Sequence, residues 1–326
     1  MHPHVVAPGP TGAFDPPRRS YARAAPSWVF LRTAWFAPGV LEQAAGLSPR
    51  ALDAIAELER LVVAADGGRL KLEWGSLRRR AGDRVEDLLW WDGDRLLGFL
   101  GLYSFGSSLG LMGMVAPDAR RRGIGTALLD AAIPICRARG TVKALLIVPR
   151  PSLPGKRLAL RRGAVLDHSE HALSLSGEPT GAPRDSAVHL RPASASDLPL
   201  VSRLLEAGFG EAPLDWLGSL QRGILVVEVN GSPVGTLGVT HDADEARIYG
   251  FVIDPARQGR GIGRAALRRA CEELRAAGAR RIGLEVAVDN DRALGLYTSV
   301  GFTPILTEDY YALPIVGQDP PTGTSR

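Results

Sequence analysis

One pattern occurs twice in this 326-residue chain, and the two occurrences lie 138 positions apart. The first is RRRGIG, Arg120 to Gly125, just after Val115-Ala116-Pro117. The second is QGRGIG, Gln258 to Gly263, just after Val252-Ile253-Asp254-Pro255. The register persists through Pro117/Pro255, Ala127/Ala265, Leu129/Leu267, Arg137/Arg275, Gly140/Gly278, Leu146/Leu284 and Gly163/Gly301. Stacked-repeat units run to roughly 20–50 residues, so a period this long makes each copy a whole domain. The chain therefore has to fold as one plan executed twice.

Composition permits two cores. Hydrophobic residues make up 45% of the chain and charged residues 23%, ordinary values for a soluble protein. The ends, 1–25 and 317–326, are rich in Pro, Gly and polar residues and read as disordered tails. A polar Pro/Gly stretch at 176–186, SGEPTGAPRDS, reads as a linker between domains at 26–175 and 187–316. Leu96 to Val115 carries no charge and is long enough to span a bilayer. Gly98, Gly101, Gly106 and Gly110 break it, and two buried strands turning at Gly106-Ser107-Ser108 account for it, so no membrane partner is expected. The net charge of +4 lacks the basic runs interleaved with aromatics that nucleic acid recruits, so no nucleic-acid partner is expected either. Cys136 and Cys271 fall on apolar helix positions and read as free core thiols, which suits a reducing, cytoplasmic location. His168 and His171 lack a third ligand, and no metal site is expected.

The later copy reads cleanly. Val188 to Arg191 is a strand, and Ser196-Asp197 caps a helix reaching about Ala207. Ile224 to Val229 and Val234 to Thr240 form a hairpin, because Asn230-Gly231 supplies the positive φ angles of a type I′ turn. A strand at Ala246 to Ile253 precedes the glycine loop, a helix runs from about Ile262 to Ala277 and stops at Gly278, and Ile282 to Val288 is a strand. A helix at Ala293 to Val300 follows, with strand from Phe302. The earlier copy repeats this plan over Pro49 to Val63, Leu88 to Trp91 and Leu96 to Phe105, with Trp28 to Arg32 offered as its first strand.

A strand followed by a glycine loop that opens a helix makes an anion site. Glycine lets the backbone turn tightly and approach a ligand. The first amides of the helix point outward, and its dipole adds positive charge there. The sequence lacks the third glycine of a dinucleotide fingerprint and the Gly-Lys-Ser/Thr of a P-loop. Downstream of QGRGIG comes LEVAVDNDRALGLYTSVGF, Leu284 to Phe302. This combination resembles the GCN5-related N-acetyltransferase (GNAT) superfamily, strongly over 187–316 and more weakly over about 50–175. The resemblance implies an α+β fold of two GNAT-like domains, each a splayed mixed β-sheet flanked by helices. It also implies acetyl-CoA as cofactor and a small-molecule or peptide amine as partner. The cofactor would lie on Val252, Ile253, Gln258, Gly259, Arg260, Gly261, Ile262, Gly263, Arg264 and Asn290. In the earlier copy, Val115, Arg120, Arg121, Arg122, Gly123, Ile124 and Gly125 would form the matching loop. Monomer and homodimer both remain open.

Acetylating an amine poses two proton problems. An alkylamine is mostly ammonium at neutral pH, and the leaving thiolate needs a proton. By resemblance to bacterial ribosomal-protein N-terminal acetyltransferases, Tyr297 would protonate the thiolate and Glu285 would accept the amine proton through water. Tyr297 also reads as a helix aromatic packing under the sheet, and Glu285 as a surface strand residue. Asp242, Asp244, Glu245 and Glu308 are rival bases. In the earlier copy Ile147 stands where Glu285 does and Ala159 where Tyr297 does. Catalysis in a ternary complex is therefore expected from the C-terminal copy alone. Two alternatives accompany this reading: a mycothiol-synthase-like acetyltransferase, whose acceptor-binding segment is not evident near 205–225, and a non-catalytic acyl-CoA-binding sensor. The segment from Phe209 to Leu220, with Tyr310 and Tyr311, is expected to line the acceptor cleft.

Overall fold

The computed structural model describes residues 39–315, apart from 81, 106–107, 142, 181–186, 211–222 and 243. Both tails, Trp28 to Arg32, most of the 176–186 linker and all but the first two residues of Phe209 to Leu220 lie outside the described residues.

The N-terminal copy runs β1 (Val40–Ala44), α1 (Pro49–Asp66), α2 (Trp74–Arg78), β2 (Asp87–Asp92), β3 (Arg95–Phe105), β4 (Ser108–Val115), α3 (Ile124–Ala138), β5 (Lys143–Pro149), α4 (Leu153–Arg161) and β6 (Val165–Leu175). The C-terminal copy follows with β7 (Val188–Pro192), α5 (Leu198–Phe209), β8 (Ile224–Val229), β9 (Ser232–Asp242), β10 (Glu245–Ile253), α6 (Ile262–Ala276), β11 (Arg281–Ala287), α7 (Asp291–Thr298) and β12 (Thr303–Pro314). Strand β1 pairs with β2 as β7 pairs with β8, so the first-strand place in the earlier copy belongs to Val40–Ala44.

Local chemistry explains the boundaries. Helix α1 starts at Pro49, which has no amide hydrogen to satisfy, and the Ser48 hydroxyl accepts from Ala51 N at 3.1 Å. Helices α3 and α6 stop in the same way, at Gly140 (φ 70°) and Gly278 (φ 101°). In each, the amide after that glycine turns back onto the last helical turn, Thr141 N to Cys136 O and Ala279 N to Leu274 O, both at 3.0 Å. Asn230 (φ 51°) and Gly231 (φ 76°) make the β8–β9 turn. Helix α6 buries Ile262, Ala266, Leu267, Ala270, Cys271 and Leu274, one stripe at helical spacing, in the C-terminal core.

The twelve strands among the described residues form one sheet, ordered β1-β2-β3-β4-β5-β12-β6-β11-β10-β9-β8-β7. The order shows an exchange. Strand β12, from the C-terminal copy, pairs with β5 of the N-terminal copy, and β6, from the N-terminal copy, pairs with β11. The two exchanged strands then pair with each other along most of their length and join the half-sheets.

Each half-sheet has one parallel pair, and both pairs are short. Strands β4 and β5 pair only over Leu109–Leu111, and β10 and β11 only over Glu245–Arg247. Beyond those residues the strands part, which gives each copy a splay. The copies then differ in two ways. Strand β10 carries a register shift between Tyr249 and Val252, with Gly250 at φ 56°, whereas β4 pairs with β3 without interruption. Strand β11 alternates buried and half-buried residues, but β5 is buried at every position after Lys143. The cleft face of β11 is open, and the matching face of β5 is packed.

Candidate active site

The two glycine loops have the same backbone. Gly259 (φ 78°) and Gly261 (φ 82°) correspond to Arg121 (φ 64°) and Gly123 (φ 85°), all left-handed. Gln258 Nε2 donates to Ile253 O at 2.8 Å, and Arg120 Nε donates to Val115 O at 3.1 Å, so each loop is pinned to the end of its own strand. Neither helix start has a side-chain cap, which leaves the amides facing outward. The N-terminal loop has an added restraint, because Arg120 also donates to both carboxylate oxygens of Asp66, at 2.7 and 2.9 Å.

A cleft of about 2140 Å³ opens in the C-terminal splay. It brings together Val252, Ile253, Gln258, Gly259, Gly261, Gly263, Arg264, Glu285, Asn290 and Tyr297. Two of the expected residues stand apart from it: Ile262 is turned into the core, and exposed Arg260 reaches back to Ala256 O. The N-terminal residues Val115, Arg120, Arg121, Arg122, Gly123, Ile124 and Gly125 do not line this cleft. Asn290 Oδ1 accepts from Ala293 N at 3.0 Å, so its side chain caps α7 as well as facing the cleft. Arg292, one position into α7, is exposed on the cleft rim like Arg264. Tyr297 is buried, with Phe302 edge-on at 6.2 Å between ring centroids. Burial pushes its phenol up to about 12, so it stays protonated at neutral pH.

Glu285 sits in a dense charge cluster. Arg69 donates to it at 2.6 Å and Arg247 at 2.7 Å, and the Lys71 ammonium lies 4.0 Å away. Burial alone would raise its pKa, but Lys71, Arg247 and Arg69 together outweigh that and hold the carboxyl at about 2. Lys71 also donates to the Tyr310 hydroxyl at 2.6 Å, and Tyr310 in turn donates to Glu170 at 2.5 Å. Burial would lower the Lys71 pKa, yet Glu285 and its other neighbours raise it well above the usual lysine value.

Of the rival carboxylates, Glu308 belongs to the same charge cluster, 3.8 Å from Arg69 and 3.9 Å from Lys71, and the other three lie elsewhere. Asp242, the last residue of β9, pairs with Arg78, and Glu245, the first of β10, with Arg281, each at 2.5 Å and remote from the β10 register shift. Asp244 precedes β10, and its backbone carbonyl accepts from Arg280 and Arg281. Glu308 is fully buried, with neither oxygen in a hydrogen bond, and burial raises its pKa. Tyr310 and Tyr311 are buried as well. His168 stacks on Tyr310 at 4.2 Å, and His171 contacts Thr307. Cys271 is buried in the core, and burial pushes its thiol up to about 12.

Arg69, Lys71 and Glu73 carry no motif, and comparing the two copies does not point to them. They lie between α1 and α2 of the N-terminal copy. The stretch RLKLE, Arg69 to Glu73, does alternate charged and apolar residues, the period-2 signature of an extended segment with two unlike faces. Leu70 and Leu72 go into the N-terminal core. The three charged side chains go towards the C-terminal site: Lys71 and Glu73 line its cleft, and Arg69 holds Glu285.

These features define a class of acyl-transfer enzyme: a splay between parallel strands, with a glycine loop opening the helix that follows. The acetyltransferase (GNAT) family model matches residues 55–164 and 197–302, and the chain belongs to that family. It is an N-acetyltransferase with two GNAT repeats. Among similar proteins, a mycothiol acetyltransferase from Nocardia farcinica is 31% identical over 219 residues, covering 61% of this chain and 72% of that one. One from Beutenbergia cavernae is 45% identical over 73 residues, and the match spans only 25% of its length. Of the solved structures, a GCN5-related N-acetyltransferase from Sphaerobacter thermophilus superposes with a TM-score of 0.71 at 20% identity, covering 86% of this chain and 96% of that one. A tandem GNAT protein from the clavulanic acid biosynthesis pathway superposes at 0.59, also at 20% identity, covering 86% of this chain and all of that one. These two likenesses concern the fold.

Proposed function

We propose that the chain transfers the acetyl group of acetyl-CoA directly to a primary amine in a ternary complex, and that the C-terminal copy alone performs the chemistry. The observation that carries this reading is the difference between the two splays. In the C-terminal copy the register shift in β10 takes backbone near Val252 out of the sheet ladder, where its amides can receive a thioester carbonyl. The cleft face of β11 is open beside it, and Tyr297 faces the same cleft. The N-terminal copy retains the loop but has an unbroken β4, a packed β5, and Ala159 in place of the phenol.

When bound, acetyl-CoA supplies the activated acetyl group. The amides at Gly259 to Gly263, with Arg264, hold its pyrophosphate, and Asn290 steadies the pantetheine arm. Tyr297 gives its proton to the departing thiolate. Glu285, ionised and held by three cations, acts as a fixed charge that orders the cleft wall; a carboxylate with a pKa of about 2 is a weak proton acceptor at neutral pH.

Acetyl-CoA with a library of primary amines, followed by thiol release, tests the reaction. Tyr297→Phe should lose turnover with little change in acetyl-CoA affinity. Retention of full turnover by that variant would refute the assignment. A second reading, a mycothiol-type acceptor, is favoured by the two mycothiol acetyltransferase matches. Including that acceptor in the same library decides between them.

A further inference from the structure

We infer that Glu73, a residue of the N-terminal copy, is the general base for the reaction in the C-terminal copy. This rests on the acetyltransferase reading above and assigns the step that reading leaves without a residue.

The inference comes from the state of each carboxylate at the site. Glu285 is engaged by two guanidinium groups and an ammonium. Glu170 accepts a 2.5 Å hydrogen bond from Tyr310 and lies 3.3 Å from Lys71. Glu308 is fully buried and does not line the cleft. Glu86 lies between Arg80 and Arg84, at 3.3 and 3.2 Å. Glu73 differs from all four. It lines the cleft, its side chain is 27% exposed, and its nearest cation is Arg247 Nε at 3.6 Å. It stands at the N-cap position of α2 but makes no side-chain capping bond. The same guanidinium holds Glu285 at 2.7 Å, so Glu73 sits one arginine away from the strand that faces Tyr297. A base needs an available lone pair next to the incoming nitrogen. Among the described carboxylates lining the cleft, Asp83 is exposed in the loop after α2, and Glu73 is the one that keeps a lone pair and stands beside the cation that holds Glu285.

The protons balance. Glu73 takes one proton from the bound ammonium, and the neutral amine attacks the thioester carbon. The C–N bond forms and the C–S bond breaks. Tyr297 protonates the thiolate and recovers a proton from the amide nitrogen through water. Glu73 then releases its proton to solvent, the one proton the overall reaction yields.

The groups facing Glu73 are Arg247 from β10, Tyr103 from β3, Lys71 from its own segment and, beyond Arg247, Glu285. Between pH 6.5 and 9 these keep their charge states, because Glu285 is ionised far below that window and the other three lose protons far above it. The test is Glu73→Gln in the full chain, assayed over that range with the best amine from the library. Turnover should fall about 10²–10⁴-fold at pH 7. The deficit should shrink as pH rises, because a growing share of amine is already neutral. Glu73→Asp should recover part of the rate, and both variants should bind acetyl-CoA as the parent chain does. A loss below threefold, or an equal loss at every pH, would overturn the inference. So would a Glu73→Gln chain that no longer binds acetyl-CoA, since Glu73 would then be structural. If the parent chain acetylates no amine at all, the acetyltransferase reading itself has failed.

Discussion

Replacing Glu285 with glutamine tests whether the junction between the copies is held by charge. In the folded chain the Glu285 carboxyl titrates at about 2, against an ordinary 4.5. One pKa unit is worth 1.36 kcal/mol, so the folded surroundings, with burial opposing and the three cations prevailing, favour the ionised form by about 3 kcal/mol net. Glutamine forfeits that and leaves Arg69 and Arg247 facing each other with less counter-charge. Breaking one partner out of a buried ion pair costs about 3–5 kcal/mol, and the loss at pH 7 should fall in that range. Urea unfolding of the two chains at matched pH measures it. Between pH 4.5 and 2 the unfolded chain holds a proton at this position that the folded chain does not. The contribution is therefore fully present above pH 4.5 and is lost as pH falls towards 2. The gap between the parent and the variant should close over that window. A gap below 1 kcal/mol at pH 7, or one that does not narrow in acid, would refute the electrostatic account.

Three further outcomes follow from the same geometry. Gly261→Ala and Gly123→Ala each force a side chain into a left-handed backbone, with open space around the new methyl at Gly261, so each should cost about 1–2 kcal/mol of stability. Only the Gly261 variant should lose acetyl-CoA affinity and turnover, which calorimetry and thiol release will show. Arg264→Ala and Arg292→Ala should each raise the acetyl-CoA KM about tenfold, the effect of losing roughly 1.4 kcal/mol, with kcat unchanged and the effect reduced by added salt. Tyr297→Phe should lower kcat by about 10²-fold or more across neutral pH, because its hydroxyl does not titrate there.

Much of this site was legible before any coordinates. The loop, its helix and the Leu284 to Phe302 stretch are local in sequence, and the fixed 138-residue register made each missing group visible as a substitution. Ile147 and Ala159, where Glu285 and Tyr297 stand in the other copy, stood out in that way. The first strand was misplaced to Trp28–Arg32 because the earlier copy's start has no counterpart pattern, and Val40–Ala44 holds that place. Arg69, Lys71 and Glu73 were hidden for a different reason. They act across the copies, and a contact between distant segments leaves no period in either one. Glu285 was found by motif, but its state depends on those unseen cations. The exchange of β6 and β12 was likewise invisible, since a strand's own residues fix its faces and not which neighbour it joins.

That exchange bears on what the N-terminal half does for the other. Each half borrows its closing strand from the other, so neither can be cut away cleanly. A chain severed at the linker would leave β11 with a raw edge of unpaired amides and carbonyls, the kind of surface that nucleates aggregation. On the proposed division of labour, selection can erode the chemistry of the first half but must keep its scaffold, because the C-terminal half has no complete sheet of its own.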